Sequence, residues 1–132
     1  MSQAHNLHAN PIHLGLGARA EAQPAFTGLE WYEAYAARTL ADGAEGRLVA
    51  LHDFSGDWTS WEVHPEGDEV VVCTAGEMTL IQEREDGSTT SQVLAAGEYA
   101  INPAGTWHTA DIAGTATALF ITCGFGTLHR PR

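Results

Sequence analysis

Four side chains in this sequence have the types and spacing to share one centre: Glu62, His64, Glu69 and His108. Glu62 and His64 lie two residues apart in a run of strand character, residues 59–64, so both project to one side. Residues 65–68 read as a turn, because Pro65 cannot continue a ladder and Gly67 suits a tight bend. Glu69 opens a second apolar run, and a hairpin here returns it to the neighbourhood of Glu62 and His64. His108 follows Pro103-Ala104-Gly105 in a similar context. Imidazole and carboxylate together suit a divalent transition ion such as Mn(II), Fe(II), Zn(II), Ni(II) or Cu(II). Without an ion the same residues make a polar pocket, with a carboxylate protonated or paired to an imidazolium. The residue types admit both.

These residues need a rigid frame, and the chain after Ala44 supplies one. Strands are expected at 47–53, 59–64, 69–74, 77–85, 88–95, 98–102, 106–112 and 115–123, separated by turn residues. Ala75-Gly76 and Ala96-Gly97 are among the turns, and Asp86-Gly87 predicts a two-residue type I′ hairpin. Eight short strands at this spacing imply a β-sandwich or a barrel of jelly-roll type. Upstream, residues 12–16 alternate like a short strand. The stretch 27–39 is the one good helix candidate, with Thr27 or Gly28 as cap and Trp31, Ala34 and Tyr35 as its apolar stripe. That stripe packs on the sheet; the other reading is that Trp31, Tyr32 or Tyr35 covers a pocket mouth. Residues 1–10 read as an adaptable tail carrying His5 and His8, and 128–132 as a peripheral one in which His129 is a surface residue.

At this point the chain resembles the cupin family. That family's first motif is G-x5-H-x-H-x3–4-E-x6-G, and Gly56, Glu62, His64, Glu69 and Gly76 stand at its spacings. Glu62 occupies the place of the usual first His. The second motif is G-x5-P-x-G-x2-H-x3-N, matched by Gly97, Pro103, Gly105 and His108, with Ile112 in place of Asn. The resemblance covers residues 47–123. It implies an all-β double-stranded β-helix (jelly-roll) barrel with a metal held inside one end by Glu62, His64, Glu69 and His108. Two imidazoles and two carboxylates would neutralise a divalent ion, giving a weaker Lewis acid than a His-rich set and favouring harder ions such as Mn(II) or Fe(II). It further implies a small organic substrate, a dioxygenase, isomerase or lyase chemistry, and a homodimer. The alternative is a non-catalytic binding or sensing cupin with a metal-free polar pocket.

The organisation expected is an N-terminal extension over 1–43, a barrel over 44–125 and a tail over 126–132. Strand parity makes Trp58, Val71 and Cys73 candidates to line the pocket, with His52 nearby as a structural histidine or a further lining group. Trp61 and Trp107 have the opposite parity and should pack outside, against the helix or a second subunit. The interior should otherwise be apolar, drawing on Leu48 or Val49, Leu80 or Ile81, Ile112 and residues 119–122. No Arg stands at motif spacing to clamp a carboxylate.

Composition excludes several classes. One chain of 132 residues suits one domain with a real core. Seventeen acidic residues against six Arg and no Lys give a net charge of −11. Nucleic acid and anionic membranes are therefore not expected partners, and Schiff-base or P-loop lysine chemistry has no residue to carry it. Cys73 and Cys123 form no CxxC pair and read as buried free thiols. The first ten residues lack an apolar segment of leader type, so a cytoplasmic location is expected.

Overall fold

Alternating apolar and polar residues produce antiparallel ribbons, and the computed structural model, which describes residues 3–132, holds ten of them and one α-helix. They are β1 (Ile12–Gly15), β2 (Arg19–Ala22), β3 (Arg47–Phe54), β4 (Ser60–Val63), β5 (Glu69–Glu83), β6 (Thr89–Ala95), β7 (Tyr99–Asn102), β8 (His108–Asp111), β9 (Ala116–Thr122) and β10 (Leu128–Pro131), with α1 (Leu29–Thr39) before β3. One sheet runs β2-β1-β3-β9-β5-β7 and the other β10-β4-β8-β5-β6. Strand β5 belongs to both, pairing with β7 and β9 over its first half and with β6 and β8 over its second. Two antiparallel sheets joined in this way form a jelly-roll barrel.

Continuity of β5 overturns the expected turn at Ala75-Gly76. Register passes from Cys73↔Ala118 to Ala75↔Thr117, leaving Thr74 as the extra residue of a bulge. The buried set accordingly switches from Glu69, Val71 and Cys73 to Met78 and Leu80. Gly76 has φ 72, and a Cβ there would lie 2.1 Å from the Thr115 carbonyl oxygen, so a close strand approach and not a reversal requires this glycine. The Asp86-Gly87 hairpin exists but is not type I′. The Gly87 amide donates to the Arg84 carbonyl, and of the pair only Gly87 has positive φ, which suits a three-residue loop ending in a left-handed glycine.

The core fills the barrel interior, with Val71, Cys73, Met78, Leu80, Leu94, Ile112 and Phe120 in one cluster. Burial of a side chain such as Leu80 contributes about 1.5–3 kcal/mol. Helix α1 starts at Leu29, with Gly28 as its cap and no help from Thr27. Trp31 and Tyr35 are buried with Leu48, whereas Ala34, expected on the same stripe, is exposed. A buried network ties the extension down: His13 on β1 meets the Tyr35 hydroxyl at 2.7 Å and Asp42 at 2.6 Å.

Both ends differ from expectation. Residues 3–10 carry a turn hydrogen-bonded to Phe26, with His8 paired to Asp53 at 3.0 Å; the first two residues of the expected tail lie outside the described residues. Residues 128–131 are not peripheral but pair with β4. Arg130 of that strand lies over Trp61 at 5.2 Å and Trp107 at 4.5 Å, so a guanidinium, not the helix, covers these outward rings. No described helix is long and apolar enough to cross a membrane.

Candidate metal centre

Strand register assembles the site. His129, Glu62, His108 and Gln82 form one cross-strand row over β10, β4, β8 and β5. Residues directly opposite share a face, so the row aims its side chains together. His64, just past β4, keeps the parity of Glu62, and Glu69 enters as the first residue of β5, opposite Asn102 on β7. Glu62, His64, Glu69 and His108 thus meet, with one ligand atom from each lying within 4.8 Å of all the others.

The contacts are short. His64 Nε2 is 2.8 Å from Glu62 Oε1 and 3.1 Å from Glu69 Oε2, and His108 Nε2 is 3.1 Å from Glu69 Oε1. Three of the four residues are buried, and Glu62 is half-buried toward solvent. Supporting groups hold the set. Asn102 Nδ2 donates to Glu69 Oε1 at 3.0 Å, Thr122 Oγ1 donates to Glu69 Oε2 at 2.7 Å, and Gln82 Nε2 donates to Asn102 Oδ1 at 2.7 Å. His129 Nε2 lies 3.2 Å from Glu62 Oε2.

The outer nitrogens assign the tautomers. His108 Nδ1 can only donate to the Thr106 carbonyl, 3.1 Å away. Thr127 Oγ1 donates to the Gly124 carbonyl at 3.0 Å and so accepts from His64 Nδ1 at 2.8 Å. Both neutral rings therefore present a bare Nε2 inward, the arrangement by which outer partners orient metal-ligating histidines. Both Nε2 atoms are buried and have no hydrogen-bond partner, although carboxylate oxygens stand close by. Proximity without alignment is what ligands converging on a common point produce. Two atoms each about 2.1 Å from one ion at right angles are about 3.0 Å apart, close to the separations found. The residues present fit a divalent ion.

Electrostatics without an ion follow the same contacts. Burial pulls the His64 imidazole down, but Glu62 and Glu69 outweigh it and raise it to about 9. Burial pushes Glu69 up, yet His108 and His64 prevail and hold it well below the usual carboxylate range. Burial, reinforced by Glu62 and Glu69, raises the Tyr32 phenol.

A cavity of about 900 Å³ opens above the centre, between α1 and the barrel mouth. Trp58 and His52 line it, as does Tyr32. The His52 ring packs on Phe26 and Phe120 at 5.4 and 6.0 Å, and burial lowers its pKa. Val71 and Cys73 do not line the cavity: they lie deeper on β5, in the core, where Cys73 Sγ reaches the Ala75 carbonyl. Sequence reasoning missed Asn102, Thr122, Thr127 and His129. Thr122 and Asn102 were accessible from strand parity; His129 required knowing that residues 128–131 pair with β4.

No curated protein resembles the chain closely enough to count as a match. Among solved structures, an oxalate oxidase shares 20% identity and a TM-score of 0.58 over 70% of this chain and 50% of its own. Hydroquinone 1,2-dioxygenase PnpCD, solved with Cd2+ and 4-hydroxybenzonitrile, shares 17% identity and a TM-score of 0.50 over 58% of this chain and 56% of its own. Fe(II)-HppE shares 13% identity and a TM-score of 0.50 over 58% of this chain and 42% of its own. The chain spans about half the length of the oxalate oxidase, and these likenesses concern the fold. The family profile described as the cupin domain matches residues 55–124, more than half of the sequence, and the chain belongs to that family.

Proposed function

We propose that this cupin binds a divalent transition ion through Glu62, His64, Glu69 and His108 and uses it on a small organic molecule held in the adjoining cavity. The observation that carries the reading is the pair of buried, unaligned Nε2 atoms, each fixed from behind by Thr127 or Thr106. With two carboxylates in the set, Mn(II) or Fe(II) suits it better than it would suit an all-imidazole site. A bound ion would act as a Lewis acid of modest strength or as a template for the substrate. The chain's own residues do the rest. Glu69 stays ionised within its hydrogen bonds from Asn102 and Thr122. Glu62 is half-buried at the mouth, and while its Oε1 faces His64 its outer Oε2, beside His129, is the atom placed to accept a proton from a substrate. Dioxygenase, isomerase and lyase chemistries are all consistent with this set, and a fold does not choose among them.

A binding or sensing role without a metal has one observation in its favour. The four groups already lie in carboxylate–imidazole contact with one another, Glu62 with His64 and Glu69 with both His64 and His108. Calorimetric titration of tag-free protein with Mn(II) and Fe(II), followed by oxygen uptake against a ligand panel, separates the two. Ion binding with turnover supports the metal-dependent enzyme. Absence of ion binding, with ligand-induced thermal stabilisation, supports the metal-free pocket.

A further inference from the structure

We infer that the cavity accepts an uncharged aromatic molecule bearing a hydroxyl group and rejects small carboxylate anions; this rests on the proposed reading of the metal centre and names its substrate class. The first observation is the wall. Phe54 meets Trp58 at 5.6 Å and Phe120 at 6.0 Å, and Trp58 meets Phe120 at 6.0 Å, in tilted or edge-on pairs. Trp58 carries this surface to the centre, its ring 6.4 Å from His108. Tyr32 faces the same space from α1. Planar apolar side chains that bury large areas favour a flat, apolar ligand.

The second observation is charge. No Arg lines the cavity, the chain has no Lys, and the acidic groups facing it are Glu33, Asp57, Glu62 and Glu69, beside the imidazoles of His13, His52, His64 and His129. Carboxylate ligands are ordinarily fixed by a guanidinium fork, and none is available. The ion would not replace it, because Glu62 and Glu69 cancel its charge. An organic cation gains little either: Glu69 is already paired, and Glu33 and Asp57 are exposed and screened. What the centre offers is acceptors, Glu62 above all, and these match a hydroxyl donor. The third observation is size: about 900 Å³ lies near the top of the range for small-molecule sites and far exceeds what a two-carbon dianion fills.

The test measures binding of naphthol, oxalate and benzyltrimethylammonium to Mn(II)-loaded protein by tryptophan fluorescence and thermal shift. Naphthol is expected to bind at least ~10-fold more tightly than either ion, a difference of about 1.4 kcal/mol. Ala36→Trp, which fills the cavity from an exposed helix position, should weaken naphthol at least ~10-fold with Mn(II) affinity unchanged. Tyr32→Ala, also exposed, should weaken it without loss of folding. Oxalate or the cation binding as tightly as naphthol, or naphthol insensitive to both substitutions, would overturn the inference. Mn(II) affinity measured alongside keeps the two claims apart: naphthol binding to a protein that takes no ion sinks the metal reading alone, while an ion-loaded protein that ignores naphthol sinks this one alone.

Discussion

Glu62 on β4 and His108 on β8 face each other directly across the ladder, and β10 adds His129 on the far side of Glu62. Glu62 therefore brings a carboxylate to a row that otherwise holds two imidazoles and the Gln82 amide. Glu62→Gln keeps the shape and removes the charge. Mn(II) affinity should fall by more than the ~10–100-fold that loss of a supporting partner costs, and calorimetric titration checks this.

Thr127 supports the site without touching the ion position. Its Oγ1 accepts a hydrogen bond from His64 Nδ1–H and so fixes which nitrogen faces inward. Thr127→Val should lower Mn(II) affinity about 10–100-fold. The fold should lose only about 1 kcal/mol, the usual worth of one hydrogen bond. Paired metal titrations and urea melts give both quantities.

The His64 shift sets a pH dependence. Its folded value, raised from 6.5 to about 9, stabilises the metal-free fold fully below 6.5, and that contribution is lost as pH rises through 9. Urea melts of metal-free protein should lose on the order of a few kcal/mol across this window. Glu69 works in the opposite sense: lowered in the fold, it stabilises above 4.5, and that contribution is lost as pH falls toward its depressed value. Ion binding must displace the His64 proton, so Mn(II) affinity should climb with pH up to about 9. A flat profile would contradict the pairing.

Gly76 tests the shared strand. Its φ of 72 and the 2.1 Å approach to the Thr115 carbonyl leave no room for a side chain. Gly76→Ala should cost more than the ~1–2 kcal/mol of left-handed backbone alone, because β5 and β9 must also part. Chemical denaturation measures the loss.

Much of this was legible in the sequence, for local reasons. The parity of Glu62 and His64, the turn at Pro65 and the placement of Glu69 and His108 follow from strand geometry and from the family's motif spacings. Gly76 was legible as necessary but not as to why, since a turn and a bulge both call for a glycine with positive φ. Val71 and Cys73 share the parity of Glu69, yet depth along β5, which parity does not encode, puts them in the core. His129 and Arg130 were missed because β10 exists only through pairing with β4, a non-local contact for which a four-residue segment carries almost no periodic signal. Thr127 lies outside any strand, where no pattern marks a histidine's acceptor.

The central claim is that four side chains from neighbouring strands hold a single ion. Mass-spectrometric metal analysis of tag-free protein, native and after Mn(II) loading and dialysis, tests it most directly when run beside Glu69→Gln and His108→Ala. One ion per wild-type chain, lost in both variants while they remain folded, is the expected result. Wild-type protein that retains no ion, or variants that retain it unchanged, would contradict the account.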